Sequence, residues 1–302
     1  MSKNFFVKKI GLPRLLIIGC GNIGIRLLNL LHKRFRIFAV TKNLKIFFKL
    51  RSLGVIPIFI DLGDYKSLKR LKKIANIIIF LAPPFSKDIY DKGSRNLFSV
   101  FNKNSILMYI STTGVYGNCN SDFIDETRLV NPCTERAKRR IDAEQIWKIW
   151  ARFLKNKLII LRVPGIYSKS RLPLERLKNK IGALVESEDV FTNHIHANDL
   201  ARLIIFAINR GLSLRVYNTV DDSNLKMADY FDKISNLFKL PKSPRFSYFE
   251  LKNQKNVSSF LLSFMSESRR IHNKRIKKEL KFIFNYSDIN DFFIKNKSIL
   301  KI

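Results

Sequence analysis

Residues 14–24 read Arg14-Leu15-Leu16-Ile17-Ile18-Gly19-Cys20-Gly21-Asn22-Ile23-Gly24, and no other stretch limits the fold as tightly. Leu15 to Ile18 form a short apolar run with β-branched residues, the composition of a strand covered on both faces. Gly19, Gly21 and Gly24 follow as G-x-G-x-x-G, and a helix is expected over 22–34. Strand, glycines and helix in that order are what a dinucleotide-binding turn requires, with a plain packing turn as the alternative. The first glycine permits the bend, the second lets backbone approach a pyrophosphate, and the third lets helix pack close on strand. Free N–H groups at the helix start would face the phosphates. Gly19, Gly21, Asn22, Ile23 and Gly24 are therefore candidate cofactor contacts.

Further strands are expected over 35–40, 55–60, 76–81 and 105–110, separated by helices over 44–53, 65–74 and 88–101. Regular alternation with short connections is the signature of a doubly wound parallel α/β sheet. Ligands of such sheets sit at the carboxyl ends of the strands. The second strand ends in Thr41-Lys42-Asn43, with no acid where an NAD site places one for the ribose hydroxyl. A hydroxyl beside a cation suits a 2′-phosphate better, so NADP is expected in preference to NAD. Lys42 as one more surface lysine is the alternative. Asp61 and Leu62 end the third strand, and Asp61 either contacts an adenine or holds a turn. Ala82 and Pro83 end the fourth strand, where proline stops the ladder, and face the same crevice.

The fifth strand runs into Ser111-Thr112-Thr113-Gly114-Val115-Tyr116-Gly117, a set of hydroxyls that points to a site. Thr112, Thr113 and Tyr116 are candidates, although the Tyr116 ring packed under the following loop is an equal reading. A loop over 117–133 is long enough to be functional. A long amphipathic helix then runs to about 154, with Trp147 and Trp150 on one face as core residues, and a sixth strand spans 157–163. Arg171 and Arg176 either meet a substrate phosphate or are solvated. His194 and His196 share one face of a strand, but nothing nearer than Asp199 completes a ligand shell, so no metal is expected. His194 is expected to line the crevice, Asn198 or Asp199 to cap a helix over 200–209, and a strand to span 214–220. Asp221-Asp222-Ser223 should cap a helix over 225–238, and 246–264 shows no clear period. Arg269 and Arg270 either face substrate or seal the structure.

The chain has 302 residues and 46% hydrophobic content, enough for one large or two modest cores. Three cysteines without metal or disulfide spacing suit a reducing cytoplasm. The run Phe5-Phe6-Val7 is too short for a signal peptide, and no run reaches the roughly 18 apolar residues a membrane span needs. The net charge of +32 is spread along the whole chain. It reads as compositional bias that attracts phosphorylated ligands rather than as a specific nucleic-acid site. No membrane partner is expected.

In order, the glycine turn, the segment 111–117, Pro132 ahead of a helix carrying Glu144, and Leu161-Arg162-Val163-Pro164-Gly165-Ile166-Tyr167 resemble the short-chain dehydrogenase/reductase superfamily. The segments His194-Ile195-His196-Ala197-Asn198-Asp199-Leu200-Ala201, Tyr217-Asn218-Thr219 and the closing 266–280 extend the resemblance over nearly the whole chain. Its extended branch, the NAD-dependent epimerase/dehydratase-like proteins, is the one resembled. The likeness implies a Rossmann domain at 12–167 and 189–220, with a substrate lobe at 168–188 and 221–302. It implies an oxidoreductase or epimerase/dehydratase acting on a nucleotide-linked sugar or small carbonyl compound, and a homodimer through the long helices.

Two departures stand out. Ile18 occupies the first glycine position of the branch's usual G-x-x-G-x-x-G. Counting from Pro132 and back from Glu144, Arg136 and Arg140 stand at the Tyr and Lys of the family's Tyr-x-x-x-Lys pair, while Thr112 keeps the Ser/Thr position. A guanidinium cannot shuttle protons at neutral pH. Arg140 is left to hold a ribose or phosphate, Arg136 to polarise a carbonyl or clamp an anion, and Tyr116, ahead of Thr113 or Tyr167, to donate a proton. A catalytically silent NADP-binding sensor or scaffold is the second reading.

Overall fold

The computed structural model describes residues 11–297 apart from His32 and Ser86. The apolar run at 5–7 lies outside them. Strands β1 (Arg14–Ile18), β2 (Arg36–Thr41) and β3 (Ile56–Phe59) build the sheet outward in one direction. β4 (Ile77–Phe80) and β5 (Ile106–Thr112) build it in the other. The two-residue β6 (Phe123–Ile124) lies in the long loop, and β7 (Lys157–Val163) rejoins the sheet. Past β8 (Gly165–Tyr167), β9 (Ala183–Leu184), β10 (Phe191–Thr192) and β11 (His194–His196), β12 (Arg215–Asn218) ends it. The order of the seven parallel strands is β12-β7-β5-β4-β1-β2-β3. The strand order reverses between β1 and β4, which puts the glycine turn at the switch point.

The two faces of β1 explain its composition. Leu15 and Ile17 pack into one core with α1 (Asn22–Leu31), α7 (Ala197–Arg210) and α11 (Lys274–Leu280). Leu16 and Ile18 pack into the other, with Leu68 of α3 (Tyr65–Leu68), Leu97 of α4 (Lys92–Leu97) and the tryptophans of α5 (Glu135–Leu154). Trp147 and Trp150 are fully buried, donating from Nε1 to Ser94 Oγ at 3.0 Å and to the Phe101 carbonyl at 3.4 Å. They are core residues and not part of a surface for a partner; the exposed side of α5 carries Ile149 and Phe153 instead.

Around the carboxyl ends lie α6 (Leu174–Lys178), α8 (Met227–Leu237), α9 (Tyr248–Asn253), α10 (Ser259–Met265) and α12 (Ile289–Lys295). With them are β13 (Leu225–Lys226), β14 (Arg245–Phe246) and β15 (Arg270–Ile271), each paired with one of the short strands. Separate apolar clusters hold this part together, one around Tyr230, Phe231 and Phe292 and one around Leu251 and Met265.

Several expected boundaries move for local reasons. The helix expected over 88–101 shortens to α4, because the Asp88 carboxylate takes the Tyr90 N–H at 3.1 Å and turns the chain before Asp91 caps the helix. The 65–74 helix stops at Leu68 and tightens into a 3-10 turn at Lys69–Leu71. The cap of α7 is His196, whose Nδ1 accepts from Asn198 N at 3.2 Å, rather than Asn198 or Asp199. Asp199 instead takes the N–H groups of Asn285 and Tyr286. The start of α8 is held by Asp189, which accepts from Ala228 N at 3.1 Å, while Asp221 turns back on Ser223. The aperiodic 246–264 holds two short helices, α9 with a Ser247–Glu250 capping box and α10 capped by Ser258.

Candidate functional site

Each glycine of the first turn has its own steric reason. Gly19 has φ of +85°, and a Cβ there would stand 2.6 Å from the Ala82 backbone, so β4 leaves no room for a side chain. Gly24 would meet Cys20 Sγ at 2.7 Å, so the helix packs directly on the turn. At Gly21 a Cβ would meet nothing within 4 Å. The open space over Gly21 is where a pyrophosphate has to approach, so the residues present fit a dinucleotide.

That space belongs to a crevice of about 520 Å³ at the switch point. Gly19, Gly21, Asn22, Ile23, Gly24, Thr41, Lys42, Asp61, Leu62, Ala82 and Pro83 all line it, so the expected contacts of the glycine turn and the first four strand ends gather in one place. Thr41 Oγ1 accepts from Asn43 N at 3.1 Å, and Lys42 Nζ lies 3.8 Å from the Asp61 carboxylate. Asp61 also accepts from Gly63 N at 2.9 Å. It holds the turn and lines the crevice at once.

A second cleft of about 430 Å³ adjoins the first, and Ile23, Leu81, Ile166 and Arg171 line both. Thr112, Thr113, Arg136 and Arg140 line it with Arg171. Thr112 accepts from Gly114 N at 3.2 Å, which leaves its own O–H to donate. Arg140 Nη1 donates to the Ile110 carbonyl at 2.8 Å, to Tyr109 Oη at 3.2 Å and to the Ala82 carbonyl at 3.5 Å. The ends of β4 and β5 thus fix its charge beside both clefts. Arg136 lies with its guanidinium carbon 4.6 Å from the Phe260 ring and 4.9 Å from that of Phe264. Burial lowers its pKa.

Not every candidate is in the cleft. Tyr116 is not a free proton donor: it is buried, its hydroxyl donates to Asn218 Oδ1 at 2.9 Å, and Arg162 covers its ring at 4.8 Å. The ring packed under the loop is the reading that holds. His194 does not line the crevice; it is buried and stacked on Tyr230 with ring centroids 4.1 Å apart. Arg176 is neither solvated nor in the cleft. Its guanidinium lies over Phe231 and donates to the Gly182 carbonyl. Arg270 seals the structure between Phe123 and Phe191 and donates to the Ser121 carbonyl at 2.7 Å.

Sequence reasoning missed Glu267, Ser263 and Phe264, which line the second cleft with Arg269. Arg269 Nη1 donates to Glu267 Oε2 and to the Gly117 carbonyl, both at 2.7 Å. The available signal was Ser258 followed by Phe260 and Phe264, a capped turn with aromatics four apart. Beneath the cleft, Glu144 accepts from Ser111 Oγ at 2.6 Å and from Arg162 Nε and Nη2 at 3.1 and 2.8 Å. Among the described residues there is no group of His, Cys, Asp and Glu side chains that could hold a metal, and no helix long and apolar enough to cross a membrane.

Behind the site, buried titratable groups set a pH dependence. Burial pushes His194 and His196 down to about 4 and Asp221 up to about 8. Unfolded histidine titrates near pH ~6.5 and aspartate near ~3.9. Between about pH 6.5 and 4 the unfolded chain binds two more histidine protons and the native chain one more aspartate proton, so stability falls on acidification. Of these three groups only Asp221 differs from about pH 6.5 to 8, and its contribution falls as pH rises. Urea midpoints are therefore expected to peak near pH ~6.5. Asp221→Asn should flatten the alkaline limb and steepen the acid limb, while His196→Asn, which keeps a cap acceptor, should weaken the acid limb. Midpoints constant across this range would refute the assignment.

No protein-family model matches the sequence, and no curated protein is similar to it. Solved structures are similar in fold. A functionally unknown conserved protein from Silicibacter pomeroyi superposes with TM-score 0.76 at 23% identity, covering 94% of this chain and 99% of that one. UDP-glucuronic acid 4-epimerase from Bacillus cereus, solved with UDP-glucuronic acid and NAD, gives 0.74 at 14% identity over 95% and 99%. dTDP-glucose 4,6-dehydratase from Bacillus anthracis, solved with NAD, gives 0.71 at 15% over 95% and 98%. The likeness runs the length of the chain, and with the sheet order and the switch-point turn it establishes that this protein shares the fold of these epimerase and dehydratase structures.

Proposed function

We propose that the chain is an NAD(P)-dependent oxidoreductase of the epimerase/dehydratase kind, acting on a nucleotide-linked sugar or a small carbonyl compound. The observation that carries the reading is the pair of adjoining clefts, one built on the glycine turn and one lined by Thr112 and arginines. Residues 12–167 and 189–220 would hold the cofactor, and 168–188 with 221–302 the substrate. The preference for NADP over NAD rests on Thr41 and Lys42 and on the absence of an acid at the end of β2. A bound nicotinamide supplies hydride exchange. In this chain Thr112 would donate a hydrogen bond to the substrate oxygen, and Arg136 would offer the substrate positive charge without carrying the proton.

A second reading, a silent NADP-binding sensor or scaffold, is favoured by a specific feature. Among the described residues lining the second cleft there is no Tyr, Lys, His or Cys. The deciding experiment incubates the protein with NADP or NADPH and a panel of sugar nucleotides and carbonyl compounds. Nicotinamide absorbance and product epimers are followed. A substrate-dependent change that Arg136→Ala cuts by roughly 100-fold supports the enzyme. Tight binding without any conversion across the panel supports the sensor.

A further inference from the structure

The second cleft carries more positive charge than its protein partners neutralise. Arg136, Arg140, Arg171 and Arg269 line it against Glu267 alone. Glu267 is already taken by Arg269, and Arg140 is anchored to strand-end oxygens. The Arg136 guanidinium makes no hydrogen bond or ion pair among the described residues and feels Glu267 only at longer range, although its faces are covered by Phe260 and Phe264. Arg269 is only 8% exposed, and its Nε has no partner. A shielded cation without a counter-ion is unfavourable. The position adds to the cost: Arg136 is in the first turn of the 20-residue α5, whose partial positive charge repels it. Thr134 and Ala137 of the same turn also line the cleft, so the end of the helix opens into it.

We propose that the substrate bears an oxyanion, a carboxylate or a phosphate, and that Arg136 and Arg269 bind it at the start of α5. The identification as substrate rests on the cofactor reading of the first crevice; the anion site itself does not. Two guanidinium forks at one helix start match the planar or tetrahedral oxygens of such a group. One anion then neutralises both unpaired edges and the helix end. The cofactor's pyrophosphate is a separate anion, expected over Gly21 in the other crevice. This assignment also gives the residue that replaces the family's tyrosine a role in choosing substrate.

The test titrates the full chain calorimetrically with inorganic phosphate and with malonate, with and without saturating NADPH. The wild type should bind at least one of the two, and the tighter one names the source. Arg136→Leu, which keeps the packing against the phenylalanines, should weaken binding roughly 10- to 100-fold and leave NADPH affinity unchanged. Arg136→Lys, with charge but no fork, should fall between them, and serves if the leucine variant misfolds. Gly21→Asp should lose NADPH and keep the oxyanion. Binding untouched by both Arg136 variants, or displaced by NADPH and lost in Gly21→Asp, overturns the proposal, as does failure of both probes to bind. Arg136-dependent binding in a protein that takes no NADPH would uphold the anion site and remove the cofactor reading.

Discussion

Replacing Glu144 by Gln is expected to lower unfolding stability by about 3–5 kcal/mol, the usual cost of removing one partner from a buried ion pair. Glu144 is 1% exposed and Arg162 4%. Glutamine can still accept from Ser111, so the loss isolates the charge: Arg162 keeps its position in the core with its counter-ion gone. The effect should reach the site, since Ser111 precedes Thr112 and Arg162 covers the Tyr116 ring that bonds Asn218. Denaturant midpoints measure the first effect. The double variant Glu144→Leu/Arg162→Met should recover much of the loss, because it removes both charges together. A single variant as stable as wild type would mean the pair is not buried in solution.

Gly21→Asp is expected to abolish dinucleotide binding while leaving the fold intact. The structure makes the two parts of this expectation separable. A Cβ at residue 21 meets no protein atom, so the substitution is tolerated sterically in the unliganded chain. The added carboxylate then stands in the pyrophosphate's path with repelling charge. Gly19→Ala, with a Cβ 2.6 Å from the Ala82 backbone, should instead damage the protein itself. Nicotinamide fluorescence titration beside a thermal melt distinguishes them. Wild-type binding of NADPH over NADH would support the reading of Lys42. Unchanged NADPH binding by a folded Gly21→Asp protein would dismiss the glycine turn as a cofactor site.

The glycine turn was legible because each of its constraints is satisfied within neighbouring strands. Arg136 and Arg140 were legible through the resemblance, which set them at the positions of the Tyr-x-x-x-Lys pair, and their spacing of four puts both on one face of α5. The misreadings share a cause: the deciding partner lies far away in sequence. Tyr116 follows the site strand directly, but its hydroxyl belongs to Asn218, 102 residues later. His194 stacks on Tyr230, and His196 packs against Tyr286 and Phe292. No local pattern announces such meetings. Glu267 was hidden similarly, because α10 and the loop beneath it have too few turns to display a period.

The wall of the second cleft has a consequence for how the protein assembles. Asn118 Oδ1 accepts from Ser268 N, Cys119 N donates to the Ser268 carbonyl, and β6 pairs with β15. The Asn118–Ser268 contact spans 150 positions. Apart from Ile166 and Arg171, the first crevice is built from strand ends and turns that follow one another closely, between residues 19 and 85. Closing the larger loop costs more chain entropy, and contacts of such separation form slowly. A nascent chain would thus complete the glycine crevice well before the arginine cleft has its wall.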